Sequence, residues 1–175
     1  DADADTEQTT EHNITKHTPM LFDKETYKER RRTLKRSVGS GIILLPGNDN
    51  SPANYPANSY KFRQDSSFLY YYGLHRDGLA GILDIDDDRD YLAGDDIDID
   101  DIVWFGQVDS MADMARQCGA DATMTMAGMR EYISKASAAG RRIHFLPPYR
   151  HDTMIALMDL TGIHPHKQRE AASVG

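Results

Sequence analysis

Residues 41 to 45, Gly-Ile-Ile-Leu-Leu, constrain this chain more than any other stretch. A short apolar run, rich in β-branched residues and bounded by Gly and Pro, suits a strand covered on both faces. The segment before it, Asp23 to Val38, reads as a helix with Asp23 as N-cap and Tyr27, Leu34 and Val38 as its inner stripe, stopped at Gly39-Ser40-Gly41. The segment after it, residues 46 to 60, holds three prolines and four asparagines and reads as a surface loop. Phe62, Phe68, Tyr71 and Tyr72 then form an aromatic cluster facing a core. Gly81 to Asp86 and Arg89 to Ala93 read as two strands joined by an aspartate turn. Residues 110–118, 127–139 and 151–161 have helical spacing, and Arg142 to Leu146 reads as a strand stopped by Pro147-Pro148. Strands and helices alternate without a repeat, so the fold class is α/β, a mixed β-sheet flanked by helices.

The length, 175 residues, suits one domain. Residues 1–20 lack apolar periodicity and read as a disordered tail; the domain occupies 21–175. Asn13-Ile14-Thr15 has the form of a glycosylation acceptor, but so short a match is read as accidental. The mean hydropathy of -0.61 and 39% hydrophobic residues are those of a soluble globular protein. No apolar run nears the roughly 18 residues of a membrane helix. The lone Cys118 demands no oxidising compartment, and a cytoplasmic location is the default.

Charge is unevenly spread. The net -8 is 20 Lys and Arg against 28 Asp and Glu, yet residues 81–101 alone hold ten aspartates and one arginine. The remainder is close to neutral. The one dense basic run, Arg30, Arg31, Arg32, Lys35 and Arg36, shares its segment with Asp23, Glu25 and Glu29 and reads as a solvated helix face. Neither nucleic acid nor a membrane is an expected partner.

Candidate chemistry is sparse. Asp84, Asp86 and Asp88 have the spacing that opens a calcium loop, but Arg89 stands where the glycine belongs and Asp95 where the bidentate glutamate does. Asp84, Asp86, Asp96, Asp98 and Asp100 would supply carboxylates to a two-metal site, though such alternation more often marks the outer face of a sheet. The seven histidines follow no metal-binding spacing. His144 reads as a core histidine, Cys118 as a small buried thiol, and Ser66-Ser67 lacks a nucleophile setting. No catalytic and no metal-binding residue is assigned.

One pattern is more specific: Phe62-Arg63-Gln64-Asp65-Ser66-Ser67-Phe68-Leu69-Tyr70-Tyr71-Tyr72-Gly73-Leu74, then the aspartate-rich segment, then Asp101-Ile102-Val103-Trp104-Phe105-Gly106. From about Leu21 onward this resembles the N-terminal domain of aminopeptidase P, the Xaa-Pro aminopeptidase of the creatinase and prolidase family. The opening Phe22-Asp23 with Tyr27, Arg30 and Arg31 fits the same family. The resemblance implies a non-catalytic α/β domain that serves oligomerisation and walls the active-site cleft. The chemistry would lie in a separate C-terminal pita-bread domain with two manganese ions, so this chain would carry no cofactor and be inactive alone.

By the same resemblance, the partners are that catalytic domain, sister subunits and a peptide substrate with proline at its second position. The parent would remove the residue before that proline, a metal-bridged hydroxide attacking the polarised carbonyl. Trp104 would reach the substrate in a neighbouring subunit's cleft; its other reading is a core tryptophan. Arg63, Asp65 and Tyr72 match family positions and read as structural, pinning the long loop to the sheet. The chain's stop at Gly175 reads as a fragment or isolated domain. The longer Asn/Pro loop and the acidic 84–101 segment depart from the family pattern. A stand-alone binding module and an acidic calcium-binding module are the alternatives.

Overall fold

The computed structural model describes residues 20–55, 58–96 and 109–172. The tail expected at residues 1–20 lies, apart from Met20, outside them. Helix α1 (Lys24–Val38) starts on Asp23, whose carboxylate accepts the Thr26 amide at 2.8 Å, and ends at Gly39 with φ +93°. β1 (Ile42–Pro46) follows, then a small ribbon of β2 (Pro52–Tyr55) and β3 (Asn58–Ser59) inside the stretch expected to be loop. The aromatic segment forms α2 (Ser66–Tyr72), and β4 (Ala80–Asp84) and β5 (Arg89–Ala93) form the expected hairpin. The rest is α3 (Met111–Cys118), β6 (Ala122–Met124), α4 (Met126–Ala138), β7 (Ile143–His144), α5 (His151–Thr161) and α6 (Pro165–Ala171). The short β6 and α6 have no counterpart in the sequence expectations. Among the described residues no helix is long and apolar enough to cross a membrane.

The sheet runs β6-β5-β4-β1-β7. β4 is antiparallel to both its neighbours, β1 and β5, while β6 is parallel to β5 and β7 to β1. Alternation along β1 sends Ile43 and Leu45 to a core shared with Leu34, Phe68, Tyr72, Met111, Met114 and Cys118. Ile42 and Leu44 go to the opposite core, with Met129, Ile133 and Leu157. Helices α1, α2 and α3 therefore cover one face, and α4 and α5 the other. The first core has no room to spare at Gly81, where a Cβ would collide with the Tyr72 ring.

The basic run of α1 is not wholly solvated, which corrects the sequence reading. Arg32 and Arg36 do face outward and Arg30 is half-buried, its Nη1 on the Tyr70 carbonyl at 2.9 Å, but Arg31 and Lys35 fall on the stripe of Tyr27, Leu34 and Val38 and are carried inward with it. They meet Asp90, which its place in β5 aims at the same face. Arg31 is fully buried; its Nε donates to Asp90 at 2.8 Å, Nη1 to the Tyr71 carbonyl at 2.8 Å and Nη2 to the Gly119 carbonyl at 2.7 Å. Lys35 Nζ lies 2.8 Å from the other Asp90 oxygen and 2.7 Å from Asp88. One guanidinium thus ties α1 to β5, to the end of α2 and to the turn after α3.

A second arginine clamps the same hairpin from the other face. Arg141 donates to both oxygens of buried Asp84, at 2.9 and 2.5 Å, and to Asp86 at 2.7 and 3.0 Å. The Tyr132 hydroxyl also donates to Asp84, and Asp86 accepts the Gly41 amide at 2.9 Å. Burial alone raises the pKa of Asp84, but Arg141, Tyr132 and the Asp87 amide outweigh it and leave the carboxyl below its ordinary value. Asp86 is lowered by the Gly41 amide and Arg141, and Asp88 by Lys35. The turn itself needs left-handed backbone, which Asp88 supplies at φ +50°.

Four outcomes follow from these contacts. Arg31→Met should cost about 3–5 kcal/mol in urea denaturation, because Asp90 keeps only Lys35 and two carbonyls lose their donor; a loss under about 1 kcal/mol would place Arg31 at the surface. Arg31→Lys should not restore stability, since one ammonium cannot reach three directions at once. Gly81→Ala should lower stability by about 1–3 kcal/mol through overpacking against Tyr72, read as a drop in Tm. For pH, carboxyls lowered by folding stabilise above the unfolded value near 3.8 and lose that contribution as pH falls through their lower folded values. Stability followed from pH 5 to pH 2 should therefore fall, and fall less steeply in Asp84→Asn/Asp86→Asn; identical slopes would contradict the clamp.

Candidate functional site

Strand register decides where the loops gather. Pro46 pairs with Ala80, Ala80 with Ala93 and Ala93 with Met124, so the carboxyl ends of β1, β5 and β6 line up with the start of β4. β7, parallel to β1, ends on the same side. The chain thus leaves β1, β5, β6 and β7, and enters β4, at one end of the sheet. The opposite end holds the aspartate turn.

This loop end is cross-linked by polar side chains. Gln64, 1% exposed, accepts the Asn48 amide at 2.7 Å and the Asp65 amide at 2.9 Å, and donates to the Arg76 carbonyl at 2.5 Å. It pins the Asn/Pro loop to the segment before β4, a role the sequence reading gave to its neighbours. The signal for it was its place between Arg63 and Asp65 in the quoted motif. Asn48 Nδ2 donates to the Arg63 carbonyl at 2.9 Å, and the Gly47 amide to the Leu79 carbonyl at 2.8 Å. Arg150 Nη2 reaches Ser51 Oγ at 2.7 Å and the Asp49 carbonyl at 3.1 Å, tying the loop before α5 to the same stretch.

The other candidates take places of different kinds. Asp65 caps α2, accepting the Ser67 and Phe68 amides at 2.8 and 2.9 Å through one oxygen, and accepts the Tyr149 hydroxyl at 2.9 Å through the other. Burial first, and then the Asp65 contact, push the Tyr149 phenol above its usual pKa. Tyr72 is a core residue, stacked on Phe68 with centroids 5.1 Å apart and its hydroxyl on the Tyr91 carbonyl at 2.8 Å. Arg63 is exposed and contributes only its carbonyl. His144 is buried with Nε2 on the Ser40 carbonyl at 2.9 Å, and Cys118 is a buried thiol. Of the cluster Phe62, Phe68, Tyr71 and Tyr72, only Phe68 and Tyr72 are fully buried.

Trp104, with Asp98 and Asp100, lies outside the described residues. The residues bracketing that segment are at the loop end: Asp96 accepts the Met111 amide at 2.7 Å, and Asp95 accepts the Met126 amide at 3.1 Å. The described aspartates of the two carboxylate readings are otherwise engaged. Asp84 and Asp86 are taken by Arg141, Asp88 by Lys35, and Asp96 caps α3 at the far end of the sheet. Among the described residues no three His, Cys, Asp or Glu side chains gather closely enough to hold a metal ion, so no metal-dependent step is placed on them.

Between the ends of β1 and β7 the loop end opens into a pocket of about 260 Å³, reached by Leu45, Pro46, Asn48, Asp65, Pro148 and Tyr149. Its walls are mainly apolar, with polar groups confined to a few positions.

A search of the curated proteins found no match. Among solved structures, Pseudomonas aeruginosa aminopeptidase PepP is similar at a TM-score of 0.70 with 22% identity, over 89% of this chain and 36% of that one. A variant of Escherichia coli aminopeptidase P gives 0.69 and 15%, over 85% and 34%. The Escherichia coli enzyme with the inhibitor Pro-Leu gives 0.66 and 16%, over 79% and 32%. At these identities the likeness is one of fold, and the chain spans about a third of the length of those proteins. Residues 27–144, from the first turn of α1 to the end of β7, match the family described as the aminopeptidase P N-terminal domain, and the chain belongs to that family.

Proposed function

We propose that this chain is the accessory, non-catalytic N-terminal part of a Xaa-Pro aminopeptidase, a metallopeptidase that removes the residue preceding a proline. The observation that carries this reading is the family match across the entire sheet, from α1 to β7. The loop end is the surface suited to walling a cleft, because its loops converge there and are held by Gln64, Asp65 and Arg150 rather than left free. Trp104 falls in sequence between β5 and α3, and its indole would pack against the substrate proline in a neighbouring subunit. Two manganese ions and their ligands would belong to a separate C-terminal domain. Sister subunits and that domain are the proposed partners, and the cytoplasm the proposed location.

The 175-residue chain alone, supplied with Mn2+, should leave a Xaa-Pro peptide intact. The protein extended by its second domain should release the first residue. Cleavage by the short chain would overturn the accessory role. In the extended protein Trp104→Ala should raise KM about tenfold, equivalent to about 1.4 kcal/mol, with kcat little changed. An unchanged KM would remove Trp104 from the substrate's surroundings.

A further inference from the structure

In open α/β sheets, neighbouring parallel strands whose chains leave toward opposite faces open a crevice at their carboxyl ends, and ligands bind there. β1 and β7 are such a pair. The chain after β1 leads to α2, which packs in the core of Phe68 and Tyr72; the chain after β7 leads to α5, which packs by Leu157 in the opposite core. The 260 Å³ pocket sits at that divergence, between the first residues of α2 and the first turn of α5.

The chemistry of the pocket is one-sided. Its body is apolar: Leu45, Pro46, Leu146, Pro147, Pro148 and the ring of Tyr149. Beside the hydroxyls of Ser67, Tyr149 and Thr153, its polar lining is the Asp65 carboxylate and the Asn48 amide. Asp65 receives hydrogen bonds from two amides and a hydroxyl, yet no Lys, Arg or His of the described residues forms an ion pair with it. Asn48, 6% exposed, directs its Nδ2 to the Arg63 carbonyl at 2.9 Å and to the Tyr149 hydroxyl at 3.5 Å, while its Oδ1 accepts from no donor among the described residues. A carboxylate and an amide oxygen left with spare acceptor capacity call for a donor, and an uncompensated negative charge calls for a positive one. The nearby Arg150 does not answer, being turned to Asp152 at 2.6 Å and to Ser51.

We propose that this pocket binds the ammonium end of an apolar ligand. Its N–H groups would lie on Asp65 and the Asn48 carbonyl oxygen, and a ring or branched side chain would fill the space walled by Pro46, Leu146 and Pro148. An apolar cavity of about 150 Å³ accepts benzene, so 260 Å³ admits a ring together with its ammonium group. The ligand is either a free apolar amine or the amino-terminal residue of a peptide, and the site stands whether or not the parent protein is a peptidase.

The test is an NMR titration of the isotopically labelled 175-residue chain with phenylalaninamide, N-acetylphenylalaninamide and the tripeptide Phe-Ala-Ala. Phenylalaninamide should shift the amides of Asn48, Ser67 and Thr153 saturably, and acetylation, which removes the charge, should weaken binding at least tenfold. Asp65→Asn keeps an oxygen to cap α2 but loses the charge, and should weaken binding similarly. Thr153→Trp fills the pocket from the first turn of α5 and should abolish binding while the remaining spectrum stays dispersed. A tripeptide that binds as well as the amide identifies a peptide terminus as the ligand; one that is excluded identifies a free amine. Equal binding of the acetylated compound, shifts away from the pocket, or no saturation with phenylalaninamide would each overturn the proposal.

Discussion

Arg31 and Asp90 meet at 2.8 Å inside the protein, and the face of the sheet covered by α1, α2 and α3 depends on that contact. A buried guanidinium is costly to desolvate and persists only where its donors are matched. Here three of its nitrogens find acceptors on β5, on the end of α2 and after α3, with the Tyr72 ring 4.8 Å beneath its centre. Three helices are therefore placed on one sheet by a single side chain that lies on none of them but α1. Hydrophobic burial supplies the bulk of the driving force; the guanidinium sets which part of each element faces which.

The acidic block of 84–90 takes its meaning from the same contact. Read as composition, its aspartates suggest either a solvated tip or a cation site. In the fold they divide by strand alternation and turn geometry. Asp90 serves Arg31 and Lys35 on one face, and Asp84 and Asp86 serve Arg141 on the other. The local excess of negative charge is thus partly met by cations distant in sequence. The hairpin becomes a clamp at one end of the sheet, while the loops collect at the other.

Much of this was legible in the residues. The Gly-bounded run at 41–45, the helix from Asp23 and the hairpin at 81–93 each carry a periodicity or a stop signal that survives in the fold. What the sequence concealed depended on partners far along the chain. Arg31 looked like its solvated neighbours because only Asp90, fifty-nine residues on, reveals which face it occupies. β6, three residues long, exists through pairing with β5, and Gln64 matters because folding brings Asn48 and Arg76 to it. The pocket between β1 and β7 was hidden for a related reason: it arises where two chain segments a hundred residues apart diverge to opposite faces.

The central claim is that the charged segments are internal anchors that organise the sheet and so present the loop end. Amide hydrogen exchange of the whole chain tests it most directly, because protection reports local opening rather than mean position. The account predicts slow exchange at Gly41 and Asp87, whose amides are held by Asp86 and Asp84, approaching that of β1 and β4. It also predicts that added calcium leaves their exchange unchanged. Unprotected amides in the aspartate turn, slowed only when calcium is supplied, would contradict it.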